Sequence, residues 1–458
     1  MKLAARVFAL SVLIGLLPSA GLGNGPEFRL AFTLSMDPAE HLYRVSLRCE
    51  GWTEELLDFK LPVWMPGYYG LQDYPKNVRN FRAEDGAGSS LPWEKTTENC
   101  WRVAAGRTSV VIVSYDVLAT SSFVAHCYLG EDRGAIAPVG LFMHVAGRLD
   151  RPVTVKILQP PGWKDIATGL DRIPGSDPAT FAAPDFDTLY DCPIVLGNLD
   201  RLPPFEIDGV PHYFVGHQLG IADPEGFLKD LKPVIEAGIR IIGEIPYRHY
   251  TFLGIGPGMG GIEHANSVGM GFNYAGPETR AKKIRNLAFL AHEYFHGFNV
   301  KRIRPIALGP FDYDKPNLTR MLWVSEGFTS YYEAVMLRRA GVTTDEEFFK
   351  EIGDIIASYE NKTGRLFQSA TQSSFESWSQ GPFGGRGTGI IKTISYYDKG
   401  AALGMLLDLA IRHESENRKS LDDVMRTLYR TYCKEKKRGF TDEEFRGVCE
   451  EAAGGGEG

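Results

Sequence analysis

His292-Glu293-Tyr294-Phe295-His296 sets two imidazoles four positions apart with a carboxylate beside the first. On a helix such positions lie one above the other, so both rings can converge on one ion at about 2.0–2.1 Å, the distance zinc requires. Glu293 is then placed to take a proton from a metal-activated water. A catalytic zinc also needs a third protein ligand and an open position. The best candidate is Glu326, in Leu322-Trp323-Val324-Ser325-Glu326-Gly327-Phe328. An ionised carboxylate among Trp323, Val324 and Phe328 is costly to bury without a partner, and a metal supplies one. A buried ion pair with Arg302 or Arg304 is the competing reading.

These residues need helices to hold them, and the flanks supply the pattern. Ile284, Leu287, Ala288, Ala291, Phe295 and Phe298 form an apolar stripe at helical spacing, with further helices expected around Leu322–Arg339 and Lys399–His413. Asp223-Pro224-Glu225 opens another, whose apolar positions recur around an interrupting Pro233. Upstream the period changes to two. In Leu42–Cys49, Tyr43, Val45, Leu47 and Cys49 share one face and Arg44, Ser46 and Arg48 the other. Ser109–Leu118, Val153–Leu158 and Tyr250–Ile255 are further strand-like runs. The fold class is α+β: an antiparallel β-sandwich over residues 24–202, then a mostly helical domain over 203–458. The Ser-, Gly- and Gln-rich stretch from Gln368 to Thr388 is long for a loop and is expected to form a lid or cleft rim.

A chain of 458 residues, 43% hydrophobic and 23% charged, suits a soluble multidomain protein. Its formal net charge of −7 offers no basic footprint for nucleic acid, and the run Lys434–Arg438 reads as a solvated helix end. Lys2 and Arg6 precede an apolar stretch, Val7–Leu17, followed by small residues to Gly23. This is the pattern of a secretory signal over residues 1–23, and the stretch is too short to span a bilayer. The mature protein is therefore expected in the periplasm or outside the cell, without stable membrane insertion. The six cysteines permit disulfides in that compartment, or buried thiols.

Several motifs in order resemble the glycyl aminopeptidase family of secreted or periplasmic zinc exopeptidases. Leu61-Pro62-Val63-Trp64-Met65-Pro66-Gly67-Tyr68 looks like its N-terminal domain signature, and Gly260-Gly261-Ile262-Glu263-His264-Ala265-Asn266-Ser267 like its substrate-binding edge strand. His292–Pro305 resembles the zinc helix and its exit, Leu322–Glu333 the third-ligand helix, and Ser395-Tyr396-Tyr397-Asp398-Lys399-Gly400 the tyrosine motif. The resemblance implies a thermolysin-like catalytic domain, Zn2+ held by His292, His296 and Glu326, and Tyr397 as oxyanion donor, with Tyr396 adjacent and easily confused with it. It further implies that Glu263, with Gly260 and Gly261 letting substrate backbone approach, receives the free N-terminus of a peptide, and that glycine or alanine is preferred there. Family members usually continue into more helix and a PDZ domain. That portion is missing from this sequence, so regulation through it is not carried over.

Alternatives stand beside these readings. Glu263 could be an edge-strand carboxylate facing water, His264 a pocket residue or a satisfied structural histidine, and Arg302 and Arg304 braces for the zinc-helix exit. The protein could be an endopeptidase with the same chemistry. A non-catalytic scaffold with a structural zinc would have no use for Glu293.

Overall fold

The computed structural model describes residues 28–258, 260–383 and 391–454; the signal reading over 1–23 and positions 384–388 of the expected rim lie outside the described residues. The N-terminal half is built on a seven-stranded sheet whose centre is the hairpin Arg29–Asp37 and Leu42–Glu50, extended by Val110–Leu118 and Val78–Asp85 on one side. Val153–Ile157, Thr180–Ala183 and Asp171–Arg172 extend it on the other. The alternation read in Leu42–Cys49 is realised: Tyr43, Val45, Leu47 and Cys49 are buried and the intervening residues are not. Two four-stranded sheets share the core of this half. Every strand pairing in these three sheets is antiparallel except one, since Arg29–Asp37 and Val153–Ile157 run parallel with Leu30 opposite Val153. Periodicity identifies the buried face of a strand; it carries no information about the direction of a neighbour more than a hundred positions away.

The C-terminal half has its own core, from Leu202 to Ala452. Its sheet orders Asp200–Arg201, Val210–Gly216, Tyr250–Gly256, Ser267–Gly271 and Gly261–Glu263, with Gly261–Glu263 at the edge. Tyr250–Gly256 pairs parallel with both neighbours, and helix Pro224–Ile242 is the crossover that makes the first parallel pair possible. Asp223 caps that helix by accepting from the Gly226 amide at 3.0 Å, and the helix continues through Pro233 to a left-handed Gly243. Helix Arg280–Phe295 carries the HExxH motif, with Leu287, Ala291 and Phe295 in the core as the stripe required. Phe328–Arg339 packs against it, and Tyr396–Glu414 packs in turn on Phe328–Arg339.

The stretch from Gln368 is more ordered than its composition suggests. Short helices span Ala370–Phe375 and Ser377–Gln380, and Trp378 packs edge-on against Trp64 of the N-terminal half at 5.2 Å. The basic run is a solvated terminus as expected: it closes the π-helical turn Tyr429–Glu435, with Lys434 paired to Glu244 and Arg438 to Glu444. All six cysteines are free thiols, five of them buried. Among the described residues no helix is long and apolar enough to cross a membrane.

The halves interlock. Ile262 and Tyr313 are buried in the N-terminal core. Trp64 donates its indole N–H to the Asp312 carbonyl at 2.7 Å, and the Tyr313 hydroxyl donates to Asp187 at 2.6 Å.

Candidate active site

The HExxH helix ends where its second histidine is needed. Thr279 caps its start, Phe295 is its last residue, and His296 sits in the closing turn with its amide donating to the His292 carbonyl. The imidazole Nε2 atoms of His292 and His296 lie 3.0 Å apart. Glu326 Oε2 is 3.0 Å from His296 Nε2 and 3.7 Å from His292 Nε2. Glu326 reaches this point because Trp323–Gly327 is a π-helical turn, one residue wider than an α turn, which leads directly into Phe328–Arg339. The turn is seated by a close approach of two glycines: a Cβ on Gly327 would stand 2.3 Å from Cα of Gly400.

The surrounding hydrogen bonds fix how each ring presents itself. His292 Nδ1 is 2.9 Å from Glu333 Oε2, and His296 Nδ1 is 2.8 Å from the Asn299 carbonyl. Facing acceptors, both Nδ1 atoms carry the proton, which assigns a lone pair to both Nε2 atoms. Glu326 Oε2 is buried without a hydrogen-bond donor. Three lone-pair atoms on mutually close groups repel one another unless a cation joins them. The three residues form a group that could hold a metal ion, with the donor set and geometry of a three-ligand site. Arg302 is not the partner of Glu326: its guanidinium donates to the carbonyls of Ala265, Gly297 and Pro246, so it braces the helix exit.

Glu293 is buried, and its carboxylate lies against Gly261, where a Cβ would meet Cδ at 2.4 Å. Burial, aided by Glu263 and Glu326 and opposed by the two imidazoles, pushes its carboxyl up to about 7. That is the range of an effective general base at neutral pH. Burial also favours the protonated form of Glu326, but whenever the two adjacent imidazoles carry charge they outweigh it and lower the carboxyl.

Since Gly261 faces Glu293, Glu263, two residues along the same strand, projects from the same face. It does not face water: it is 3% exposed and its Oε1 has no hydrogen-bond partner. The far end of the strand is closed by the N-terminal half. Gly67, at φ +98°, packs so tightly that a Cβ would lie 2.8 Å from Glu263 Oε2 and 2.9 Å from Ile262 Cγ2. Gly260, also left-handed, hydrogen-bonds the Gly271 amide through its carbonyl. His264 is structural on one side, its Nδ1 3.1 Å from Asp191, and unpartnered at Nε2. Of the two tyrosines, Tyr396 is buried in a cluster with Val300, Leu308 and Leu322, whereas the Tyr397 ring stacks over His292 at 6.1 Å. Burial and the nearby Glu326 raise the Tyr397 phenol far above its ordinary range, keeping the O–H as a donor.

Sequence reasoning missed Glu333 and Asn299. Asn299 donates through Nδ2 to the carbonyls of Val324 and Ser325 and to the Thr329 hydroxyl, clamping the π turn to the helix exit. Glu333 had a readable signal, standing seven positions after Glu326 on the same helical run.

Residues 31–198 match the family model described as the peptidase M61 N-terminal domain, and residues 285–403 match that of the M61 glycyl aminopeptidase. The chain belongs to the M61 glycyl aminopeptidase family. Among solved structures it is similar to an aminopeptidase N family protein from Idiomarina loihiensis, at 30% identity and TM-score 0.83 over 91% of this chain and 72% of that one. It is also similar to the M1 zinc metallopeptidase of Deinococcus radiodurans, at 13% identity and TM-score 0.57 over 94% and 92% of the two chains. Yeast LTA4 hydrolase in complex with bestatin follows at 16% and 0.55, over 93% and 65%. The last two show the fold alone. Comparison with curated protein sequences returns no match. Family membership makes the protein a metallo-aminopeptidase.

Proposed function

We propose that the protein is a zinc aminopeptidase that removes single small residues from free peptide N-termini. The observation that carries this reading is Glu263, a buried carboxylate oxygen without a partner, at the closed end of an edge strand that also carries Gly261 against Glu293. A substrate α-ammonium supplies the missing donor through a charge-assisted hydrogen bond. The Gly67 turn crowds the Glu263 carboxylate from the far side, where residues upstream of that ammonium would have to run, which disfavours an endopeptidase.

His292, His296 and Glu326 would hold the zinc, which when bound supplies Lewis-acid activation of water and of the scissile carbonyl. Glu293 takes the proton of the attacking water and passes it to the leaving amine. Tyr397 donates its hydroxyl to the oxygen that gains negative charge. Glycine or alanine is the preferred first residue. The basic-then-apolar stretch at Lys2–Leu17 supports action outside the cytoplasm, and the two separate cores support domains over 24–202 and 203–458.

The test compares Gly- and Ala-initiated peptides with their N-acetylated forms in wild type and in Glu263→Ala. Wild type is expected to cleave only the free forms, and Glu263→Ala to lose most of kcat/KM on them while retaining zinc. Equal cleavage of free and blocked peptides by the wild type would establish an endopeptidase instead.

A further inference from the structure

We infer that Tyr69, contributed by the N-terminal half, is the wall that restricts the first substrate residue to a small side chain. The inference rests on the assignment of Glu263 as the N-terminus anchor.

Tyr69 follows the turn Met65–Tyr68, in which the Tyr68 amide donates to the Met65 carbonyl at 2.9 Å and Gly67 abuts Glu263. Two residues beyond that contact, the Tyr69 ring packs on the cluster holding Tyr396 and Tyr397, and meets the edge of Trp378 at 6.5 Å. Its phenol lies in the fields of Glu326 and Glu263, the proposed metal ligand and ammonium anchor, and burial with those two charges raises it far above its ordinary range. Tyr69 is therefore a neutral, bulky group near both of the carboxylates a substrate must bridge.

Only the first residue of a peptide lies between its ammonium and its first carbonyl, two bonds of about 1.5 Å apart in the backbone. The side chain of that residue leaves from the carbon in the middle. It must enter the space beside both carboxylates, where Tyr69 stands.

The wall has little freedom to swing away. Tyr68 packs edge-on against Phe123 at 5.2 Å, the Gly70 amide donates to the Tyr68 carbonyl at 2.8 Å, and the Gln72 amide donates to Val63 at 2.7 Å. Trp64 is fixed by its bond to Asp312 and its contact with Trp378. A close-packed site with immobile walls discriminates by roughly 10- to 200-fold per methylene that does not fit.

The experiment measures kcat/KM of wild type, Tyr69→Ala, Tyr69→Val and Tyr69→Phe on matched free substrates beginning with Gly, Ala, Leu or Phe. Zinc content and thermal unfolding of each variant serve as controls of fold. Tyr69→Ala is expected to raise the Leu/Gly ratio by at least about tenfold, Tyr69→Val to raise it less, and Tyr69→Phe to leave the ratio at its wild-type value. Tyr69→Val retains an apolar contact with the tyrosine cluster and decides the matter if the alanine protein does not fold. An unchanged Leu/Gly ratio in a folded, zinc-bearing Ala or Val variant overturns the inference. So does a Tyr69→Phe protein whose ratio shifts as far as that of Tyr69→Ala, since the hydroxyl and not the bulk would then be selecting. Wild-type cleavage of N-acetylated substrates would instead strike the anchor assignment, so the two failures are read from different lanes of one assay.

Discussion

Replacing Gly261 by alanine introduces a carbon 2.4 Å from Cδ and 2.5 Å from Oε1 of Glu293. Carbon atoms in contact rest about 3.5 Å apart, so something must move by about 1 Å. The strand cannot yield readily, because Gly261, Ile262 and Glu263 are paired to Met270, Gly269 and Val268, and Ile262 is fixed in the N-terminal core. The Glu293 carboxylate, at the end of a flexible side chain, gives way instead. A displacement of about 1 Å from the reactive position costs about a hundredfold in rate, or ~2.7 kcal/mol on the barrier. The fold and the metal should survive, since none of His292, His296 and Glu326 is among the atoms nearest that methyl. The assay is kcat on a Gly-initiated peptide beside metal analysis and thermal melting of the same preparation. A Gly261→Ala protein with full metal and kcat within about twofold of wild type would refute the role given to Glu293.

Glu333→Ala removes the acceptor 2.9 Å from His292 Nδ1 and is expected to weaken metal binding about 10- to 100-fold, measured by chelator competition. Asn299→Ala removes the amide donor shared by the Val324 and Ser325 carbonyls, Ser325 keeping only the Thr329 hydroxyl, and should cost about 1–3 kcal/mol in chemical denaturation, with faster metal loss as Glu326 loosens. Stability should also fall on acidification through His144 and His212, which burial holds at about 4 against an ordinary 6.5. The unfolded chain binds these protons as pH drops through about 6.5 and the folded protein only near 4, so stability declines across that window and is level above it. Each histidine contributes about 3 kcal/mol to the decline, and His144→Gln should flatten the slope of melting temperature between pH 7 and pH 4.5.

The parts of the site legible in the sequence are those set by local spacing. His292, Glu293 and His296 followed from helical geometry, while a carboxylate in an apolar run made Glu326 a candidate beside an ion pair with Arg302 or Arg304, and the third-ligand motif of the resemblance favoured it. Other features depend on distant contacts. The π turn that aims Glu326 is seated against Gly400, 73 positions on, and nothing in Trp323–Gly327 announces a wider turn. Tyr69 lay one residue past the end of the quoted N-terminal signature, its place beside Glu263 and Glu326 visible only once the halves were joined. Trp378 shows what composition leaves out at the rim: short helices and an indole docked on Trp64 in a segment otherwise rich in small polar residues. The alternation of the strands gave their buried faces, while the parallel pairing of Arg29–Asp37 with Val153–Ile157 had to come from three dimensions.

Asp191 makes the two halves inseparable in practice. It accepts from the Ala265 amide at 2.7 Å, holds His264, and pairs with the 8%-exposed Lys301 at 2.7 Å, tying the segment that follows the edge strand Gly261–Glu263 and the exit of the HExxH helix to the N-terminal half. Severing the chain near residue 202 would take the Asp191 carboxylate away from that lysine and bare Ile262 and Tyr313 to solvent. Engineers seeking a minimal protease by trimming, or by grafting the helical half onto another scaffold, would be discarding the buttress of its edge strand.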